Sequence, residues 1–155
     1  RKNLEDDGKL TVKIKQNSGR SGYSSWSKLI EWSSKREVDT LAHEFMHAFE
    51  HQSKSSAKDA VRGFLFSRVG QLKPIQLRML HPSYRYDPKE VAFSGAVRLP
   101  DSHDSSYAAK YYSGMGSNEI LTMGVQMLYN SPSTFASSDP GFFRFVVGWL
   151  RGDFA

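Results

Sequence analysis

Two histidines four residues apart, the first followed directly by a glutamate, are the residues of this 155-residue chain best suited to chemistry. The segment reads Thr40-Leu41-Ala42-His43-Glu44-Phe45-Met46-His47. On an α-helix, residues four apart stand one above the other on the same face. Two imidazoles so placed can bind one metal ion, and the intervening Glu44 can reach a water beside it. That is zinc-hydrolase chemistry, in which the metal acidifies water and the carboxylate handles its proton. Chance explains the pattern poorly: shuffling 5 His and 7 Glu among 155 residues gives roughly 0.007 such matches per chain.

The motif needs a helix to present it. Ser34 or Ser33 can cap a start, with Glu37 as the capping-box partner of Ser34. From Lys35 to about Gln52 neither Gly nor Pro interrupts the chain. At about 100° per residue, Val38, Leu41, Ala42, Phe45, Ala48 and Phe49 share one arc, with Met46 at its edge. His43, Glu44, His47, Glu50 and His51 fall on the other. The pattern predicts an aromatic side buried in the core and both histidines held toward a cleft.

Around that helix the chain reads as α+β. Lys9 to Gln16 alternates Leu10, Val12 and Ile14 with basic and polar residues, predicting a half-buried strand with a basic outer face. A turn is expected from Asn17 to Gly22, and a second strand within Tyr23 to Trp32. Beyond the motif, Ala57 to Gly70 reads as an amphipathic helix stopped by Gly70, and Pro74 opens a short helical piece. His81 to Tyr112 reads as mainly irregular, the kind of long segment that lines a site. Ser117 caps a helix running to about Tyr129. Asp139-Pro140 then supplies an N-cap and a first-position proline for a last helix that buries Phe142, Phe143, Phe145, Val146, Trp149 and Leu150.

The length suits one domain over residues 1–155 with a single continuous core, and no repeat or linker divides it. Apolar residues make up 39% and charged residues 24%, a composition that folds. No run of 18 apolar residues exists, so no membrane-spanning helix is expected. The start at Arg1, without an initiator Met or a signal-peptide pattern, reads as a domain excised from a longer protein. With no cysteine there is no disulfide framework, thiolate zinc site or thiol nucleophile. Such a chain fits the cytoplasm, and equally a secreted or translocated effector that crosses a membrane unfolded. The net charge of +5 invites a nucleic-acid reading, but the basic residues are scattered singly and form no patch. A protein or peptide partner is expected instead.

A zinc hydrolase usually has three protein ligands and one open position. His51 continues the i+4 series but lies about 12 Å along the axis from His43, too far for one tetrahedral ion on a straight helix. The longer H-E-x-x-H-x-x-G-x-x-H spacing is absent, since Glu50 and Ser53 stand where it needs Gly and His. His81 and the cluster Asp101, His103 and Asp104 lie in loop-like sequence and remain candidates. Glu119 opens a helix whose Ile120, Met123 and Met127 face the core, so its carboxylate can project toward the motif. Ordinary helix-start acidity accounts for it equally well by position alone.

His43-Glu44-Phe45-Met46-His47, followed by Tyr112-x6-Glu119 at a helix start, resembles the gluzincin pattern and is most similar to the lethal-factor-type metalloprotease toxins. In that group a glutamate on a later helix completes the zinc site, and a tyrosine seven residues before it points at the same site. The resemblance implies those roles for Glu119 and Tyr112, with Tyr107 and Tyr111 as neighbouring alternatives for the tyrosine. The run from Glu119-Ile120-Leu121-Thr122-Met123-Gly124 through Asp139-Pro140-Gly141-Phe142-Phe143 resembles zincin-like domains appended to phage head-morphogenesis proteins and bacterial polymorphic toxins. The likeness spans roughly Lys35 to Gly152. Met46 departs from it, standing where the toxin motif often carries Gly.

The resemblance implies a zincin-like fold with a small N-terminal mixed or antiparallel sheet, an active-site helix and a helical C-terminal half. It implies zinc-dependent peptide hydrolysis, with His43, His47 and Glu119 on Zn2+, Glu44 as general base and Tyr112 as an oxyanion donor. The substrate strand is expected to pair with the edge within Tyr23 to Trp32. The alternative is a zincin-fold docking or structural module of a phage particle or toxin, without catalysis. A basic nucleic-acid-binding domain is a third reading, marked by steep salt dependence.

Overall fold

The structure, a computed structural model, describes residues 10–15, 21–33, 37–112 and 119–154. The fold is mixed α+β. Near the N-terminus, β1 (Thr11–Lys15), β2 (Gly22–Ser24) and β3 (Leu29–Ser33) form a sheet in the order β1-β3-β2. β1 runs parallel to β3 and β2 antiparallel to it, so the sheet is mixed. The second strand expected within Tyr23 to Trp32 is thus a hairpin, turned at residues 25–28 with Lys28 at positive φ. Ile30 in the central strand is fully buried. Ile14 on edge strand β1 is exposed, against expectation. Alternation marks which residues share a face, not whether another layer covers it. Here α1 (Val38–His51) packs on β2 and β3, and β1 lies at the far edge.

α1 begins at Val38, three residues later than expected, with Glu37 at the N-cap and no side-chain cap. Ser33 instead ends β3, its N–H donating to Ser21 Oγ at 3.1 Å. The caps expected from Ser34 and Ser117 lie outside the described residues, as do residues 17–20 of the expected turn. α2 (Ser55–Val69) ends at Gly70 as its sequence predicts. Residues 81–112, read as mainly irregular, hold more structure than expected. β4 (Ile75–Gln76), β5 (Val91–Ala92) and β6 (Lys110–Tyr111) form a small antiparallel sheet, and α4 (Ser102–Ala108) lies between its last two strands. The piece after Pro74 is β4 followed by α3 (Leu77–Leu80).

The C-terminal half is helical: α5 (Ile120–Asn130), α6 (Pro132–Ser138) and α7 (Pro140–Arg151). Asp139 caps α7, accepting from Phe142 N at 2.9 Å, with Pro140 at the first helical position. Phe142, Val146 and Trp149 are buried as expected, while Phe143 and Phe145 are half-buried and Leu150 is exposed. The core joins these residues to Ala57, Val61 and Leu65 of α2 and to Ile120 and Leu121 of α5. Among the described residues no helix is long and apolar enough to cross a membrane.

Candidate metal centre

The most extensive helix contact in the fold is between α1 and α5, and it assembles the site. His43 and His47 face a cavity as expected, but the apolar arc of α1 is not its buried side. His43, Glu44 and Glu50 are buried, while Val38 is 53% and Phe49 42% exposed and Leu41, Ala42 and Phe45 are only half-buried. Of the expected core arc, only Ala48 is buried, together with Met46 from its edge. The polar face turns inward because α5 presents polar partners to it, and a polar group so matched can be buried at little cost.

Those partners lie on one face of α5 and its start: Glu119, Thr122 and Gln126, at positions i, i+3 and i+7. Opposite them on α1 stand Asp39, His43 and His47, at four-residue intervals. Glu119 Oε2 lies 3.3 Å from His43 Nε2 and 3.2 Å from His47 Nε2. At the other end, Gln126 Nε2 donates to Asp39 Oδ2 at 2.9 Å, and Asn130 Nδ2 donates to the same oxygen at 2.7 Å. The two helices are therefore laced antiparallel by a polar seam.

Glu119 occupies the N-cap position of α5, one residue before the first turn expected for it, and is 2% exposed. Tyr112 O–H donates to its Oε1 at 2.9 Å, and Thr122 Oγ1 lies 2.9 Å from Oε2. Burial works to raise its pKa, but the bonds and charges of His43 and His47 outweigh it and hold the carboxyl well below the usual range. Burial works to lower the pKa of His47, yet Glu119, Glu44 and Glu50 together raise it. Tyr112 is raised by burial first and by the Glu119 charge second, so it stays a phenol and a donor.

The donor set fits a tetrahedral metal ion. With bonds of about 2.0–2.1 Å, the edges of a tetrahedron around zinc are about 3.3 Å, and the two Nε2-to-Oε2 distances are 3.3 and 3.2 Å. Because Gln126 spends its amide N–H on Asp39, its Oε1, 3.2 Å from His43 Nδ1, can only accept. Nδ1 therefore carries the proton, and Nε2 is left facing Glu119 as a metal ligand would. The ligand atoms of His43, His47 and Glu119 all lie within 4.8 Å of one another.

Glu44 stands beside the triad. Burial raises its pKa, and the Glu119 charge adds to this, while His43, His47 and a bond from the backbone N–H of Tyr23 act the other way. A cavity of about 780 Å³ opens on these residues and is lined also by Tyr23, Glu50, Lys58, Tyr107 and Tyr112. Lys110, almost fully buried and ion-paired with Glu90 at 2.6 Å, holds its ammonium 4.6 Å above the Tyr112 ring and 5.0 Å above that of Tyr107.

His51 lines the same cavity but is exposed, meets Tyr23 O–H at 3.4 Å from its Nδ1 and does not belong to the group of close ligand atoms, and the other candidates lie elsewhere. Asp101 caps α4, and with His103 and Asp104 forms a separate group whose ligand atoms also fall within 4.8 Å of one another. His81 stacks edge-on against His103 at 5.1 Å. Tyr111 packs against Phe66 and Phe93, so of the three candidate tyrosines Tyr107 and Tyr112 reach the cavity. Sequence reasoning missed Asp39, Thr122, Gln126, Glu50 and Lys110. One signal was available for two of them: Thr122 and Gln126 are polar residues at helical spacing from Glu119 within an otherwise apolar run. No family model, curated protein or solved structure matches the chain.

Proposed function

We propose that the chain is a zinc-dependent metallopeptidase with a zincin-like fold. The observation that carries this reading is the meeting of two imidazole Nε2 atoms and one Glu119 oxygen at 3.2–3.3 Å, beside buried Glu44 and open to a cavity. His43, His47 and Glu119 would hold the ion. When bound, zinc supplies a Lewis acid that polarises the scissile carbonyl and lowers the pKa of water to about 7.

The chain's own residues do the rest. Glu44, its pKa raised by burial, takes a proton from the attacking water and delivers it to the departing amine nitrogen as the C–N bond breaks. Tyr112, kept a phenol, donates to Glu119 Oε1 in the resting site and to the developing oxyanion during reaction. Gln126 keeps the His43 proton on Nδ1. A peptide substrate is favoured by β2, which among the described residues pairs with β3 on one side only, and whose Gly22 and Tyr23 line the cavity. An extended chain can add to such an edge. The gluzincin resemblance agrees with the Tyr112-to-Glu119 bond, and within it the chain is a toxin-type or phage-associated protease domain.

Metal analysis of the purified protein tests the centre: about one zinc per chain is expected, lost in His43→Ala. Glu44→Gln is expected to keep the zinc and lose peptide hydrolysis by about 10²-fold or more, read with a proteome-derived peptide library. Wild-type cleavage by that variant would sink the mechanism. Zinc without cleavage by the wild type would favour a docking module.

A further inference from the structure

Glu50 is the buried carboxylate of the cavity that the proposed reaction leaves without a task. It follows His47 by three residues on α1, is 3% exposed, and neither of its oxygens has a hydrogen-bond partner among the described residues. Burial pushes its carboxyl up to about 8. Buried polar groups are normally hydrogen-bonded, so an unpartnered carboxyl on a cavity wall lacks a partner, and a cation brought to it would hold it as the carboxylate. Among the described residues, the cations that line the cavity leave it without a partner. Arg62 pairs with Asp59 at 3.2 Å, and neither it nor Lys58 bonds to Glu50. A metal ion matches poorly, since among the described residues Glu50 belongs to no group of three close ligand atoms.

We infer that Glu50 is the recognition group of a subsite for a basic substrate side chain, arginine before lysine, on the residue flanking the scissile bond. The inference rests on the peptidase reading for the nature of the ligand. Two unoccupied carboxylate oxygens match the two-pronged guanidinium better than the point charge of an ammonium. Three residues of helix separate Glu50 from His47 by about 4.5 Å along the axis, within reach of an arginine side chain whose carbonyl lies at the triad. Both oxygens are covered, so binding includes a rotation that brings the carboxylate to the ligand. Lys58 and Arg62 are less buried than Glu50, and their repulsion of an incoming cation is screened more than the new ion pair.

The test uses zinc-loaded protein titrated with L-arginine hydroxamate and, as an uncharged counterpart, L-norleucine hydroxamate, both anchored by the hydroxamate on the metal. The arginine compound is expected to bind about tenfold tighter or better. In Glu50→Gln the ratio is expected to fall to about one with zinc content unchanged, and in Glu50→Asp to persist in part. Equal binding by the wild type overturns the inference without need of any variant. So does a preference that survives Glu50→Gln, or loss of zinc from that variant, which would make Glu50 a support for His47. A wild-type protein that takes up no zinc sinks the peptidase reading and this inference together. Zinc uptake with equal binding sinks this inference alone.

Discussion

At the scale of single residues, the candidate centre is ordered by the hydrogen bonds behind His43, His47 and Glu119 as much as by those three side chains themselves. His43 can present Nε2 to a metal because Gln126 accepts from Nδ1, and Gln126 faces that way because Asp39 takes its amide proton. Outer partners of this kind typically carry about 10- to 100-fold in metal affinity. Gln126→Ala is therefore expected to weaken zinc binding by about that factor, measured by competition with a chelator. Asn130→Ala is the control, since it removes a bond to Asp39 but leaves His43 its partner. Equal zinc affinity in Gln126→Ala and wild type would show that the seam is structural only. The four-residue spacing made His43, Glu44 and His47 legible from sequence, because helical geometry alone puts them together. Gln126 becomes legible only once Glu119 is chosen, because 83 residues separate it from His43 and only tertiary contact joins them.

At the scale of elements, the side of α1 that is buried is what sequence periodicity misjudged, although both histidines face a cavity as expected. An amphipathic pattern separates two faces but does not say what each will meet. The helix that meets α1 carries a polar stripe of its own, so the seam is polar while Val38 and Phe49 stay exposed. Short elements escaped for a different reason. Strands of two residues, such as β5 and β6, are too brief to show any alternation, yet β6 delivers Lys110 and leads straight to Tyr112. α5 in turn is held against α7 at Gly124, where an added Cβ would collide with Val146 Cγ2 and crowd the Phe142 ring at 3.3 Å. Gly→Ala in a helix gains about 1 kcal/mol of propensity, whereas overpacking costs about 1–3 kcal/mol. Gly124→Ala is expected to lose about 1 kcal/mol net, read from urea unfolding. Pairing it with Val146→Ala should recover part of the loss, because the smaller side chain vacates the space the new methyl needs. Strict additivity of the two changes would refute the close approach.

At the scale of the whole molecule, the distant halves are tied by Arg68 of α2 and Asp139 at the start of α7. Arg68 donates to both oxygens of Asp139, at 2.7 and 2.9 Å, and Asp139 also accepts from Arg98 N at 3.0 Å and from Phe142 N. The cap was legible in Asp139-Pro140, but its partner 71 residues away was not, because nothing local to Arg68 marks it. Burial works to raise the Asp139 pKa, yet the Arg68 bonds and the two backbone N–H groups hold it below its ordinary value. A depressed carboxyl stabilises the fold above its unfolded pKa of about 3.9, and that stabilisation disappears as pH falls through the folded value. Arg68→Met leaves Asp139 buried without its charge partner, a change that costs about 3 kcal/mol in such pairs. The full difference between wild type and Arg68→Met is expected at pH 7, with both proteins kept metal-free by chelator. It should shrink as the pH drops below about 4, because wild type loses there what the variant already lacks. A difference of the same size at pH 7 and in strong acid would mean that Arg68 contributes contact area rather than charge.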